Sequence, residues 1–276
     1  MEEYFGARLE ELARRCEKGT LGMTGFLNPA EQYEAEKILN RQKLLVKMDG
    51  GLSGHFEQEK YGNGGYFFWG GYENAERKRL FTFPAYLFYT AETLGEMLPA
   101  DAASAVEIRG SGYVKLGHRD YLGALLNQGI ERSSLGDIVV MGDYGAVLFA
   151  LEPVARLLTE ESNALDTVGR DKVRVSRAAI GEDFGRDIGF RRISGVVSSE
   201  RLDCAVALLC NLSREKAKSG ILAGAVQLNY TEVTSPDKEV RPNDIVSVRG
   251  FGRFRIEEFT GRTRKDRLLL AAVKYI

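Results

Sequence analysis

Cysteine and histidine are scarce in this chain of 276 residues: there are three cysteines, Cys16, Cys204 and Cys210, and two histidines, His55 and His118. An odd cysteine count without C-x-x-C spacing excludes a disulfide scaffold, and so few nitrogen and sulfur ligands argue against a structural zinc site. This is cysteine usage of a reducing compartment. No run of about eighteen apolar residues occurs, so no membrane-spanning helix is expected. The start, "MEEYFGARLEELARRCEKG", is an amphipathic helix of mixed charge and lacks the charged-then-apolar order of a secretory signal. The expectation is a cytoplasmic protein with no metal, no cofactor and no membrane partner.

A charge excess is missing too, because 38 Lys and Arg face 39 Asp and Glu, for a formal net charge of −1. That near-balance would argue against nucleic acid if it were uniform. From Glu182 to Ile276, however, seventeen cations face thirteen anions, a net of +4, while the preceding 181 residues carry 21 against 26, a net of −5. The basic charge is concentrated in the C-terminal third.

With 44% hydrophobic side chains the chain can bury more than one core, and its patterns predict an α+β protein in three parts. Residues 1–76 read as a small α+β unit. Phe5, Leu9, Leu12 and Cys16 form one helical stripe. "FLNPAEQYEAEKILNR" has Asn28 as N-cap, Pro29 at the first helical position and Glu31 placed for a reciprocal cap. "KLLVKM", "GYFFWGG" and "KRLFTFP" are strand-like runs between glycine-rich turns. Residues 77–181 hold the order β-α-β-β-α-β: "AVEIRG", "HRDYLGALLNQG", "DIVVMG", "AVLFAL", "PVARLLTEES", "KVRVSRAAI". That is the order of the ferredoxin-like plait, in which two helices cover one face of an antiparallel sheet and leave the other free. Many RNA-binding modules use it, as do metal carriers and small enzymes, and no aromatic pattern of the RNP type marks its strands. "GEDFGRDIGF" reads as a polar connector.

In residues 182–276, Leu202, Val206 and Leu209 predict one short helix, and Ser213 caps a second whose inward stripe is Ala217 and Ile221. Arg214 and Lys218 lie one turn apart beside that stripe, with Lys216 near them. Gly224 ends the helix, "AVQLN" crosses back as a strand, and "TSPDKEVRPNDIVSVRGFGRFRI" supplies a turn, a hairpin and a last strand. Arg and Lys at one-turn spacing can meet adjacent phosphates, and the amides at the helix start favour an anion. A solvated basic face is the plainer alternative. In "VRGFGRFRI", Arg249, Arg253 and Arg255 stand among Phe251 and Phe254, with 253 and 255 on one strand face. Either the phenylalanines stack on bases or they are ordinary core. "GRTRKDRLLL", with Arg262, Arg264, Lys265 and Arg267, extends the basic surface or is a charged turn.

At these residues the chain resembles a known family. Arg201-Leu202-Asp203, then Ser213-Arg214 with Ala217, Ile221, Gly224, Val226 and Asn229, then Asn243-Asp244-Ile245 with Val248, follow the alpha-L RNA-binding motif of small-subunit ribosomal protein S-four, over about residues 198–250. The resemblance implies an L-shaped basic face that grips structured RNA and places that role on Arg201, Ser213, Arg214, Lys218, Gln227 and Asn229. With "SVRGFGRFRI", "KLGHRDYLGALLNQGIERSSLGDIVV" and "FLNPAEQYEAEKIL", essentially the whole chain is similar to the YlmH family of bacterial RNA-binding proteins. That resemblance implies a non-catalytic factor that binds rRNA, tRNA or both on the large ribosomal subunit, in quality control of stalled translation, with a link to cell division. Gly220 departs from the pattern, since an apolar residue is expected there, and at about 1 kcal/mol against alanine it predicts a weakened second helix.

"HRD" at 118–120 and "DFG" at 183–185 imitate protein-kinase signatures, but their spacing is wrong: Asn127 follows Asp120 by seven residues, and no Gly-rich loop precedes them. His118, Arg119 and Asp120 instead start the first plait helix, where Asp120 caps and Arg119 is placed to reach RNA; Lys115 with them could cradle a phosphate. Alpha-L motifs also accompany pseudouridine synthases and rRNA methyltransferases, but neither a methyl-donor loop nor a G-R-L-D-x-x-T setting occurs. Asp203 reads as a brace for Arg201. A protein-interaction adaptor at the division site is the remaining alternative.

Overall fold

Leu9, Leu12 and Cys16 recur at helical spacing, and in the computed structural model helix α1 (Glu2–Glu17) buries all three. The structure describes residues 2–41, 45–47, 64–84, 102–160, 165–181, 184–185, 190–262 and 267–275, which divide into two compact units, Met1–Gly185 and Arg186–Ile276. Helix α2 (Pro29–Arg41) begins at the expected cap: Asn28 Oδ1 accepts the Glu31 amide at 2.9 Å, and Glu31 Oε2 accepts the Asn28 amide at 2.6 Å. Two amides that a helix start leaves orphaned are thereby satisfied. Strands β1 (Gly22–Leu27), β2 (Val46–Lys47), β3 (Gly65–Trp69) and β4 (Lys78–Phe83) form a sheet of order β1-β4-β3-β2 beside these helices. Strand β1, "GMTGFL", has no alternating pattern to announce it. Strand β4 lies past residue 76, where the sequence reading set its first boundary.

The plait follows in the expected order: β5 (Ser104–Gly110), α3 (His118–Asn127), β6 (Leu135–Met141), β7 (Gly145–Ala150), α4 (Glu152–Glu160), a two-residue β8 (Thr167–Val168) and β9 (Asp171–Arg177). Its sheet runs β6-β7-β5-β9-β8, antiparallel throughout, with β8 added at the edge. Val106, Ile108 and Leu148 meet Tyr121 and Leu125 of α3 and Ala155 and Leu158 of α4 in the core under the helices.

The opposite face of this sheet, which the plait pattern leaves free, is covered among the described residues only along β6 and β7, while Arg109 of β5 and Arg174 and Ser176 of β9 are exposed on it. Phe149 is fully buried there, with its ring centroid 4.9 Å from that of Tyr72 and 5.7 Å from that of Phe184. Asp137 of β6 accepts the Tyr72 hydroxyl at 2.8 Å and the amides of Glu76 and Arg77 at 2.6 and 2.9 Å. The Arg77 guanidinium in turn donates to the carbonyls of Phe26, Arg132 and Leu135. Buried carbonyls and a half-buried carboxylate need such partners, so these bonds join the N-terminal sheet and the plait into one unit.

In the second unit, β10 (Phe190–Val197), α5 (Leu202–Leu209), α6 (Arg214–Leu222), β11 (Val226–Leu228), β12 (Thr231–Glu232), β13 (Ile245–Val248), β14 (Gly252–Arg262) and β15 (Leu268–Tyr275) build a six-stranded sheet of order β10-β15-β14-β13-β11-β12. Strand β10, whose first residue the sequence reading placed in a connector, and strands β12 and β15 were not anticipated. Val226, Leu228, Val246, Val248, Phe254, Ile256, Leu270 and Ala272 share one core with α5 and α6. Phe254, 1% exposed, is therefore core and not a stacking platform.

Candidate nucleic-acid interface

The corner between α5 and α6 is organised by one buried carboxylate. Asp203 stands in the first turn of α5 and is 2% exposed. Its Oδ1 accepts Arg201 Nε at 3.1 Å, and its Oδ2 accepts Arg201 Nη2 at 3.2 Å and Arg214 Nε at 3.1 Å. Burial alone would raise this carboxyl, but the donors of Arg201 and then Arg214 outweigh it and hold the group down at about 2. Both guanidiniums keep N–H donors to spare and are partly exposed, so the carboxylate orients two cations without neutralising both. At the start of α6, Ser213 Oγ accepts the Lys216 amide at 3.3 Å, as its capping role requires. Ala217 and Ile221 are buried, and Lys216 and Lys218 are exposed.

The turn before β13 docks on the same corner. The amides of Leu202 and Asp203 donate to the carbonyls of Lys238 and Pro236 at 2.8 and 2.9 Å, and the Val240 amide donates to the Glu200 carbonyl at 2.8 Å. Exposed Lys238 is thus brought next to the Arg201 strand pairing. Sequence reasoning missed it, because a lone lysine in "TSPDKEVRP" is an ordinary turn residue until its backbone partner is known.

The remaining expected residues lie elsewhere. Gln227, Arg253 and Arg255 alternate with the core residues of their strands and point away from α5 and α6. The Arg253 guanidinium lies 5.7 Å from the Tyr230 ring centroid and 5.9 Å from that of Tyr275. Arg249 is exposed just after β13. Asn229, at φ 50°, is taken up inside the fold: its Nδ2 donates to Asp244 Oδ1 at 2.8 Å, and its Oδ1 accepts the Ile245 amide at 2.9 Å. Arg119 is exposed in the first turn of α3, in the other unit, where Asp120 Oδ2 accepts the Gly117 amide at 2.8 Å. Lys115 there is already paired with Asp143 at 2.6 Å, which weakens the phosphate cradle read from the sequence. Arg267 is exposed, while the Arg262 side chain, Arg264 and Lys265 lie outside the described residues.

One pair escaped the sequence reading altogether. Arg109 of β5 and Arg174 of β9 are exposed and directly opposite each other, and the Arg109 guanidinium donates to the Glu107 carboxylate at 2.6 Å. The alternation in "AVEIRG" and "KVRVSR" was the available signal, but it does not reveal register.

Two short helices meeting at a basic corner over an antiparallel sheet define an RNA-binding protein of the alpha-L class. Residues 200–246 match the S4 domain, and residues 103–182 match the family described as "Putative RNA-binding domain in YlmH". The "Ribosome-associated protein quality control protein P2" of Bacillus subtilis (strain 168) is 31% identical over 254 residues, which are 91% of this chain and 86% of that protein. The chain belongs to the YlmH family of RNA-binding proteins. Among solved structures, "Cell division protein ylmH from Streptococcus pneumoniae" is similar at 16% identity and a TM-score of 0.45, over 64% of this chain and 91% of that one.

Proposed function

We propose that this protein is a non-catalytic, cytoplasmic factor that grips rRNA, tRNA or both on the large ribosomal subunit in quality control of stalled translation, with the link to cell division that its family carries. The observation that carries this reading is the Asp203 brace, which aims Arg201 and Arg214 from one buried carboxylate beside exposed Lys216 and Lys218. Phosphates supply most of the affinity in RNA complexes, and oriented guanidiniums suit them better than mobile ones. The name of the Bacillus subtilis relative supports the ribosomal setting. Asp203 itself, held near 2 and occupied by two guanidiniums, is a poor general base at neutral pH.

The test reverses the cations and spares the packing. The double variant Lys216→Glu, Lys218→Glu leaves Ala217, Ile221 and the Asp203 brace in place, so it is expected to fold with a near-normal melting temperature while co-sedimentation with ribosomes falls by at least tenfold, since attraction to at least two phosphates becomes repulsion. Reversal of Glu10 and Glu11 in α1 is the control and should leave binding intact. A double variant that melts normally and co-sediments like the parent would move RNA contact away from this corner.

A further inference from the structure

The face of the C-terminal sheet that points away from α5 and α6 carries a polar row set by strand register. Glu232 lies opposite Gln227, Gln227 opposite Ser247, and Ser247 opposite Arg253. These four, with Gly224 and Arg249, line a cavity of about 450 Å³, inside the range of about 300–1,000 Å³ that accommodates small ligands. One end of the row is anionic and the other cationic, three strand spacings or about 14 Å apart.

Glu232 is the unusual member. Its side chain is exposed and makes no hydrogen bond or ion pair among the described residues. Its Oε1 stands only 2.7 Å from where a Cβ on Gly224 would be, so the missing side chain at Gly224, with φ 68°, lets the carboxylate lean over the end of α6. The C-terminal end of a helix is its negative pole, which disfavours a carboxylate there. Donors from outside the chain would relieve that placement. A carboxylate is acceptor-only and takes two adjacent N–H groups best.

A ligand that fits must therefore present an anion to Arg249 and Arg253 and two neighbouring donors to Glu232. Among the RNA bases, guanine has two adjacent donors on its Watson–Crick edge, N1–H and the N2 amino group. Adenine and cytosine set a donor beside an acceptor, and uracil sets one donor between two acceptors. We propose that this cavity holds one unstacked guanosine nucleotide of RNA, with Glu232 reading the base edge, Gln227 and Ser247 along its length, and the arginines at the phosphate. Sequence-specific RNA recognition commonly works on such splayed bases. The proposal rests on the RNA-binding reading above but uses the other side of the sheet.

Binding of the full-length protein to four fluorescent pentaribonucleotides tests it, each of adenosines with a central G, A, C or U, at one fixed salt concentration. The central-G oligomer is expected to bind at least about tenfold tighter, the scale of one bidentate base contact. A central inosine, which keeps N1–H and lacks the amino group, should fall between. Glu232→Gln should abolish the preference while leaving the other three affinities within about twofold, and Arg249→Ala should weaken all four alike. Equal binding of the four oligomers, no measurable binding of any, or a preference that survives Glu232→Gln overturns the proposal. Ribosome co-sedimentation run in parallel separates the two readings. Equal binding of the oligomers with normal co-sedimentation removes only the cavity, whereas a guanine preference that persists in a double-reversal variant still bound to ribosomes removes only the corner.

Discussion

Single residues here are committed to neighbours that sequence alone does not name. Asp203 was expected to brace Arg201, and it does, but it also holds Arg214 eleven positions away. Because its carboxyl is depressed in the folded state, to about 2 against about 3.9 in an unfolded chain, its contribution is fully present above pH 4 and is lost as pH falls toward 2. That contribution is on the order of 2 kcal/mol. Asp203→Asn should therefore destabilise the protein by about this amount in denaturant unfolding at pH 7, and the gap between variant and parent should narrow steadily between pH 4 and pH 2. A gap that stays constant with pH would mean the carboxylate charge is not what is lost. Asn229 makes the complementary point: it fits the family pattern, yet its amide is spent on Asp244 and Ile245.

At the scale of elements, α6 is present with Gly220 in its last turns, although glycine in a helix costs about 0.5–1 kcal/mol against alanine. A Cβ at Gly220 would meet nothing within 4 Å, and its φ is not among the positive ones. Gly220→Ala is therefore expected to raise stability by about that amount, visible as a melting temperature a few degrees higher, with ribosome binding unchanged. A lowered melting temperature would show that the backbone there is needed in a form alanine resists. The strands show how alternation is read and where it stops. Alternation puts Val226, Leu228, Val246 and Val248 on one face and Gln227 and Ser247 on the other, but only register sets Glu232, Gln227, Ser247 and Arg253 in a row.

At the scale of the whole molecule, Arg186–Ile276 is a compact unit with its own core and holds both the Asp203 corner and the polar row. Expressed alone, it should unfold cooperatively and bind rRNA, with affinity falling by about tenfold to a hundredfold between 50 and 200 mM salt if three or so phosphates are engaged. Affinity insensitive to salt, measured by filter binding or anisotropy, would exclude contact through phosphates. The unit Met1–Gly185 contains two sheets whose join depends on Arg77, Asp137, Tyr72 and Phe149. None of these residues is marked by period or motif, because each serves a partner about 55–80 positions away in the chain.

Local features were legible along the chain: the reciprocal Asn28 and Glu31 cap, the helical stripe of α1, the β-α-β-β-α-β order, the Ser213 cap, the concentration of cations in the last third and the alpha-L spacing. These depend on interactions within a few residues or on composition, and such interactions are written along the chain. Tertiary structure alone decided that Phe149 is covered, that Phe254 is core, that Arg109 faces Arg174, and that the expected RNA-binding residues of the last unit divide between a helical corner and the opposite face of the sheet. Those outcomes follow from strand register and from the pairing of buried polar groups with distant partners. A one-residue shift in register reverses every side chain on a strand, so no local pattern can specify them.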